Sequence, residues 1–169
     1  MTSNLGNLAR NDQYYTPKHL LEAIAPFLPR DKKIWMPFYG DGSVGRYMRE
    51  LGFGDVHHQP GEDFFDTPPP GSPGETIVVD NPPFSLKREV FQRLASLEMP
   101  FMLIVPLATV SYQYTRDLLG ESFQIVVPRK RMSFVDPSKR REGEKKSQPS
   151  FASVWLCYKM NLDHDICFT

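Results

Sequence analysis

The chain has 169 residues, 40% of them hydrophobic, and equal numbers of basic and acidic side chains; this is enough for one well-packed domain and leaves little room for a second. No apolar run reaches the roughly 18 residues of a membrane span and the polar N-terminus lacks a signal-peptide core, so an intracellular protein with no membrane partner is expected. Two cysteines, Cys157 and Cys167, are too few for a disulfide framework and lack ligand-like spacing, so a reducing compartment and no structural metal are expected.

In chain order, Leu20, Leu21, Ile24 and Phe27 fall on helical spacing and predict a helix over 17–28, with Thr16 as N-cap and Pro17 at its first position. A short strand is expected over 33–37, a helix over 43–51 stopped by Gly52, and a second strand over 56–59. Residues 66–74 form a proline- and glycine-rich loop before the apolar strand 76–80. A helix over 87–97, a strand over 101–106, a helix over 110–119 and two late strands over 123–127 and 151–159 complete the pattern. Alternating strands and helices predict an α/β fold with a doubly wound, mostly parallel sheet.

Charge is neutral overall but unevenly placed. Residues 128–146 hold eight basic side chains (Arg129, Lys130, Arg131, Lys139, Arg140, Arg141, Lys145, Lys146) against three acids, which leaves the remainder acidic. Such a segment suits a polyanion, since each phosphate neutralised releases counterions and adds affinity without regard to sequence. A solvated loop without a partner is the plain alternative.

The most informative stretch is Asp80-Asn81-Pro82-Pro83-Phe84, directly after the apolar run Thr76-Ile77-Val78-Val79. Open α/β sheets place their chemistry at the carboxyl ends of such strands. Pro82 and Pro83 have no N–H, so no regular ladder continues through them, and the carbonyls of Asn81 and Pro82 stay available as acceptors. Asn81 adds a side-chain oxygen, and Phe84 adds a flat face for a planar group. Two acceptors beside one ring suit a heteroaromatic ring bearing an amino group. Its lone pair is delocalised, and holding both N–H bonds on acceptors favours the pyramidal geometry in which that pair attacks.

Asn81-Pro82-Pro83-Phe84 resembles the catalytic motif of S-adenosylmethionine-dependent amino methyltransferases, which include DNA and RNA adenine-N6 enzymes and protein glutamine enzymes. Tyr14-Tyr15-Thr16-Pro17 resembles the N-terminal cofactor motif of that family, Pro37-Phe38-Tyr39-Gly40-Asp41-Gly42-Ser43-Val44-Gly45 its glycine loop, and Glu62-Asp63-Phe64-Phe65 its acidic-aromatic motif. The four occur in the family's order. Arg131-Met132-Ser133-Phe134 and Ser150-Phe151-Ala152-Ser153-Val154-Trp155 extend the likeness, with the pattern of small phage-type DNA adenine enzymes.

The resemblance implies a Rossmann-like class I methyltransferase sheet, S-adenosylmethionine as cofactor and transfer of its methyl group to adenine N6 in nucleic acid, with DNA favoured over RNA. The closing pair of strands resembles the antiparallel hairpin that such methyltransferases carry at one edge. It implies that Tyr15 and Thr16 meet the cofactor carboxylate, that Pro37, Gly40, Asp41 and Gly42 cradle it, and that Asp63 with Phe64 beside it meets its adenine. Asn81, Pro82 and Phe84 would hold the target amine and base, with Asp80 orienting Asn81 or draining a proton. Arg129, Lys130, Arg131, Lys139, Arg140 and Arg141 would hold nucleic acid, aided by Tyr112, Tyr114 and Arg116 or by a partner subunit. Two positions depart from the family. Met36 stands where an acid commonly receives the cofactor ammonium, so Asp41 or a backbone group would take over; Gln59 or His57 or His58 stands where an acid grips the ribose. A protein glutamine methyltransferase and a catalytically silent subunit of a heteromeric enzyme remain open alternatives.

Overall fold

The computed structural model describes residues 14–136, the backbone of 146–147, and residues 151–169. The first helix, α1 (Lys18–Ile24), buries Leu20, Leu21 and Ile24, the stripe that its spacing sets. Its N-cap is Pro17 with no side-chain cap, so the expected capping role of Thr16 is not met. It also ends early, tightening into a 3-10 turn at Ala25–Phe27, because Pro26 lacks the N–H that a further α turn requires.

Then follow β1 (Lys33–Trp35), α2 (Ser43–Glu50), β2 (Val56–His57), β3 (Thr76–Asp80), α3 (Lys87–Ser96), β4 (Phe101–Pro106), α4 (Gln113–Leu119) and β5 (Gln124–Val127). Beyond them come β6 (Phe134–Val135), β7 (Lys146–Ser147), β8 (Ser153–Tyr158) and β9 (Ile166–Phe168). Seven strands form one sheet in the order β2-β1-β3-β4-β8-β5-β9. β8 runs antiparallel to both its neighbours, and every other pairing in the sheet is parallel.

The antiparallel pair of β5 and β8 was expected at one edge, but β8 is inserted between β4 and β5 and the unforeseen β9 forms the edge instead. The insertion follows from apolarity: Ser153, Val154, Trp155, Leu156 and Cys157 are all buried, which only an interior position satisfies on both faces. Likewise the helix expected from 110 starts at Gln113, since Leu107–Ser111 winds as a 3-10 turn.

Period-two alternation divides the core between the two faces of the sheet. Ile34, Ile77, Val79, Met102, Ile104 and Trp155 meet α1 and α2 on one side. Trp35, Val78, Phe101, Leu103, Val105 and Leu156 meet Val90, Phe91 and Leu94 of α3 and Leu119 of α4 on the other. This is a doubly wound, Rossmann-like α/β architecture, and the carboxyl ends of β1, β3, β4 and β5 open on one edge. A second, two-stranded sheet pairs β6 antiparallel with β7. Phe134 and Met132 are buried, so β6 is rooted in the core. No helix among the described residues is long and apolar enough to cross a membrane.

Candidate active site

At the end of β3, Asp80 is 4% exposed and its carboxylate bridges two loops. Oδ2 accepts the Phe38 N–H at 2.7 Å and Oδ1 accepts the Asn81 N–H at 2.8 Å. Burial pushes its pKa up to about 7, against the pull of those two hydrogen bonds. Asp80 thereby fastens the turn after β1 to the turn after β3.

Asn81 is half-buried, and its side-chain NH2 donates to the Tyr14 carbonyl over a long 3.4 Å. A carbonyl only accepts, so the amide nitrogen must face Tyr14 and Oδ1 must face away. Oδ1 is buried and has no hydrogen-bond partner among the described residues. An unmet buried acceptor costs roughly 1–3 kcal/mol, and native structures tolerate few without a functional reason. Pro82 is buried behind it, and Phe84 lies half-buried. The Phe84 ring stands edge-on to Phe151 at 5.1 Å and 6.2 Å from Tyr14, with the Lys87 ammonium 5.7 Å from its centre.

The glycine loop turns through two left-handed positions, Gly40 at φ 59° and Gly42 at φ 81°. Both are crowded by tyrosines: a Cβ on Gly42 would sit 2.6 Å from the Tyr39 hydroxyl, and one on Gly40 3.4 Å from the Tyr15 ring. Asp41 turns its Oδ1 onto the N–H and hydroxyl of Ser43, at 3.0 and 2.6 Å, where α2 begins. Pro37 is buried at the loop's start, and Met36 is 1% exposed in the core. Position 36 is thus a packing position rather than a ligand position.

His58 supports this loop from behind. Its Nδ1–H donates to the Met36 carbonyl at 2.8 Å and its ring stacks on Tyr39 at 4.7 Å. Burial lowers its pKa, which favours the neutral ring. His57 instead reaches Glu62 at 2.9 Å, and Gln59 is exposed beyond the end of β2.

In the acidic-aromatic stretch, Asp63 Oδ1 accepts the Phe65 N–H at 2.8 Å. Phe64 is 2% exposed, packed 5.7 Å from Trp35 and 5.1 Å from Phe38, with the Arg93 guanidinium 5.5 Å over its ring. Phe64 was expected beside the cofactor adenine, but its surroundings are those of core packing.

One narrow cleft of about 30 Å³ joins these parts. It is lined by Tyr14, Tyr15 and Thr16 from the N-terminal motif, by Phe38 to Asp41 with Ser43 and Val44 from the glycine loop and start of α2, and by Asp80 and Asn81. That is space for about one water. The cleft therefore collects Tyr15, Thr16, Gly40, Asp41, Asp80 and Asn81 from the expected set. Pro37, Gly42, Gln59, Asp63, Phe64, Pro82 and Phe84 do not line it. Tyr14, Phe38 and Tyr39 were missed as lining residues, although each lies inside a motif and an aromatic beside a glycine turn is a usable signal.

Arg129, Lys130 and Arg131 are exposed on the turn between β5 and β6, at the sheet edge that carries Asn81. Lys139, Arg140 and Arg141 lie outside the described residues. Arg116, expected near substrate, is ion-paired with Glu121 on the surface.

No family model and no curated protein matches this chain. Among solved structures it is similar to a protein of Thermoplasma acidophilum provisionally assigned as a methyltransferase, at 11% identity and a TM-score of 0.37, over 92% of this chain and 78% of that one. A likeness that weak is no guide to chemistry, which rests on the cleft itself.

Proposed function

We propose that this chain is an S-adenosylmethionine-dependent methyltransferase that modifies the exocyclic N6 of adenine in nucleic acid, DNA ahead of RNA. The single observation that carries this reading is Asn81 Oδ1: a buried, partnerless acceptor at the carboxyl end of a central strand, beside a glycine turn. The residues fit the cofactor in kind. Left-handed glycines let backbone approach a ligand closely, and Tyr15, Thr16 and Asp41 bring polar groups to the same cleft.

The bound cofactor supplies a methyl group already activated on sulfur. The chain's own task is to align, desolvate and orient. Asn81 Oδ1 and the Pro82 carbonyl accept the two amine N–H bonds, and Phe84 offers its ring to the base. A target inside a duplex must first be extruded at a cost of a few kcal/mol, so single-stranded substrate is the easier one. The basic turn and hairpin hold the backbone nearby.

A silent subunit of a heteromeric enzyme is the competing reading, favoured by Met36 in the core and by the narrow cleft. Labelled-cofactor transfer to duplex DNA, single-stranded DNA, RNA and protein separates the readings: label on nucleic acid supports ours, label on protein selects a glutamine enzyme, and no cofactor binding selects a silent subunit. Asn81→Ala is expected to cut transfer at least about 100-fold while cofactor affinity, measured by calorimetry, stays within about twofold. Normal turnover in that variant would remove Asn81 from the chemistry.

A further inference from the structure

We infer that Tyr14 is a positioning residue for Asn81, and that through residues 14–16 the cofactor cleft and the basic turn of Arg129 and Lys130 before β6 bind their ligands cooperatively. This rests on the methyltransferase reading and extends it.

Several contacts converge on this short strap. The Tyr14 carbonyl takes the Asn81 side-chain NH2 and so turns the amide oxygen away from Tyr14. The Tyr14 ring spans the turn after β3 and the start of β6, 6.2 Å from Phe84 and 6.0 Å from Phe134. Tyr15 exchanges both backbone hydrogen bonds with Val135 of β6, at 3.0 and 2.9 Å, while its ring lies against Gly40. Thr16, 5% exposed, lines the cleft.

In an extended strand the N–H and C=O of one residue point to the same side, so Val135 directs both at Tyr15. Displacement of β6 therefore pulls on Tyr15, and Tyr15 is joined to the carbonyl that orients Asn81. A ligand that orders the strap from either end spares the other ligand part of that ordering cost. Such coupling is reciprocal and commonly amounts to about 5- to 150-fold in affinity.

The test uses the full chain, with S-adenosylhomocysteine titrated by calorimetry in the presence and absence of a saturating adenine-containing DNA single strand. The product of transfer binds without turnover. Cofactor-product affinity is expected to tighten at least about fivefold with the oligonucleotide. Val135→Pro removes the N–H aimed at Tyr15 and is expected to erase that gain, leaving each separate affinity within about twofold. Tyr14→Ala, which removes the ring between Phe84 and Phe134, is expected to lower kcat at least about tenfold with KM for the oligonucleotide little changed. Tyr14→Phe keeps ring and carbonyl and is expected to restore kcat. Equal affinity with and without oligonucleotide, in a chain that binds both, overturns this inference alone. The same holds if Tyr14→Ala turns over normally. Failure to bind S-adenosylhomocysteine at all overturns the methyltransferase reading and this inference with it.

Discussion

Asp80 stands under two opposing demands. Its carboxylate is needed as an anion by two backbone N–H groups, yet it lies in the interior, where burial favours the protonated form and raises its pKa to about 7. An acid whose pKa is higher in the folded than in the unfolded chain binds its proton more tightly when folded. Its contribution is therefore most favourable below the unfolded value of 3.8 and declines as pH rises toward about 7. Denaturant unfolding at about pH 5 and about pH 8, on wild type and Asp80→Asn, isolates this effect, because every other ionisable side chain is common to both proteins. Wild type is expected to lose stability over that span relative to the variant, by on the order of 1–3 kcal/mol. A parallel pH dependence in the two proteins would show that the two N–H bonds, and not burial, govern Asp80.

At the level of elements, α2 shows how the glycine loop is held. Gly45 lies inside this helix, where alanine is normally worth about 1 kcal/mol more than glycine. A Cβ there would sit 2.5 Å from the His58 ring. That ring is fixed by its bond to the Met36 carbonyl and by Tyr39 stacked on it, so it has no easy retreat. Overpacking costs typically 1–3 kcal/mol and outweighs propensity; Gly45→Ala is expected to lower unfolding free energy by about 1 kcal/mol, measured by denaturant titration. A more stable variant would mean that His58 moves freely.

His58 also marks where sequence reasoning runs out. Strands β3 and β4 are readable because continuous apolar runs bounded by proline and glycine have few other homes, and the acceptor turn after β3 is readable because proline leaves its carbonyls unladdered. The place of β8 between β4 and β5 depends on pairing with Met102 and Ile125, far away in the chain, which local pattern does not encode. The same holds in the cleft. That Asn81 offers an oxygen is written in its side chain, but which way the amide faces is decided by the Tyr14 carbonyl, 67 residues earlier. A pair of aromatics such as Phe64 and Phe65 reads alike whether it packs or binds, and only burial separates the two.

Over the whole molecule, the described part of the basic segment, Arg129 to Arg131, lies at the sheet edge that carries Asn81, in a chain whose other residues are net acidic. β3 and β5 are three strand steps apart in the sheet, roughly 14 Å at the usual spacing, so charge on the β5–β6 turn lies two or three nucleotides from Asn81. The remaining acidic surface repels a polyanion elsewhere, and this asymmetry favours approach to the one edge where the acceptors stand. Arg129 and Lys130 are exposed there, whereas Arg131 already engages a neighbour. Each phosphate contact to a single strand contributes a slope of about 0.7 to the fall of log K with log salt. Changing Arg129 and Lys130 to glutamine is therefore expected to flatten that slope by about 1.4, measured by fluorescence anisotropy with a labelled single strand. The loss is expected to be equal for adenine-rich and adenine-free oligonucleotides, because phosphate contacts position the strand without reading the base, which in the proposed function falls to the turn Asn81 to Phe84. An unchanged slope would place the polyanion elsewhere on the protein.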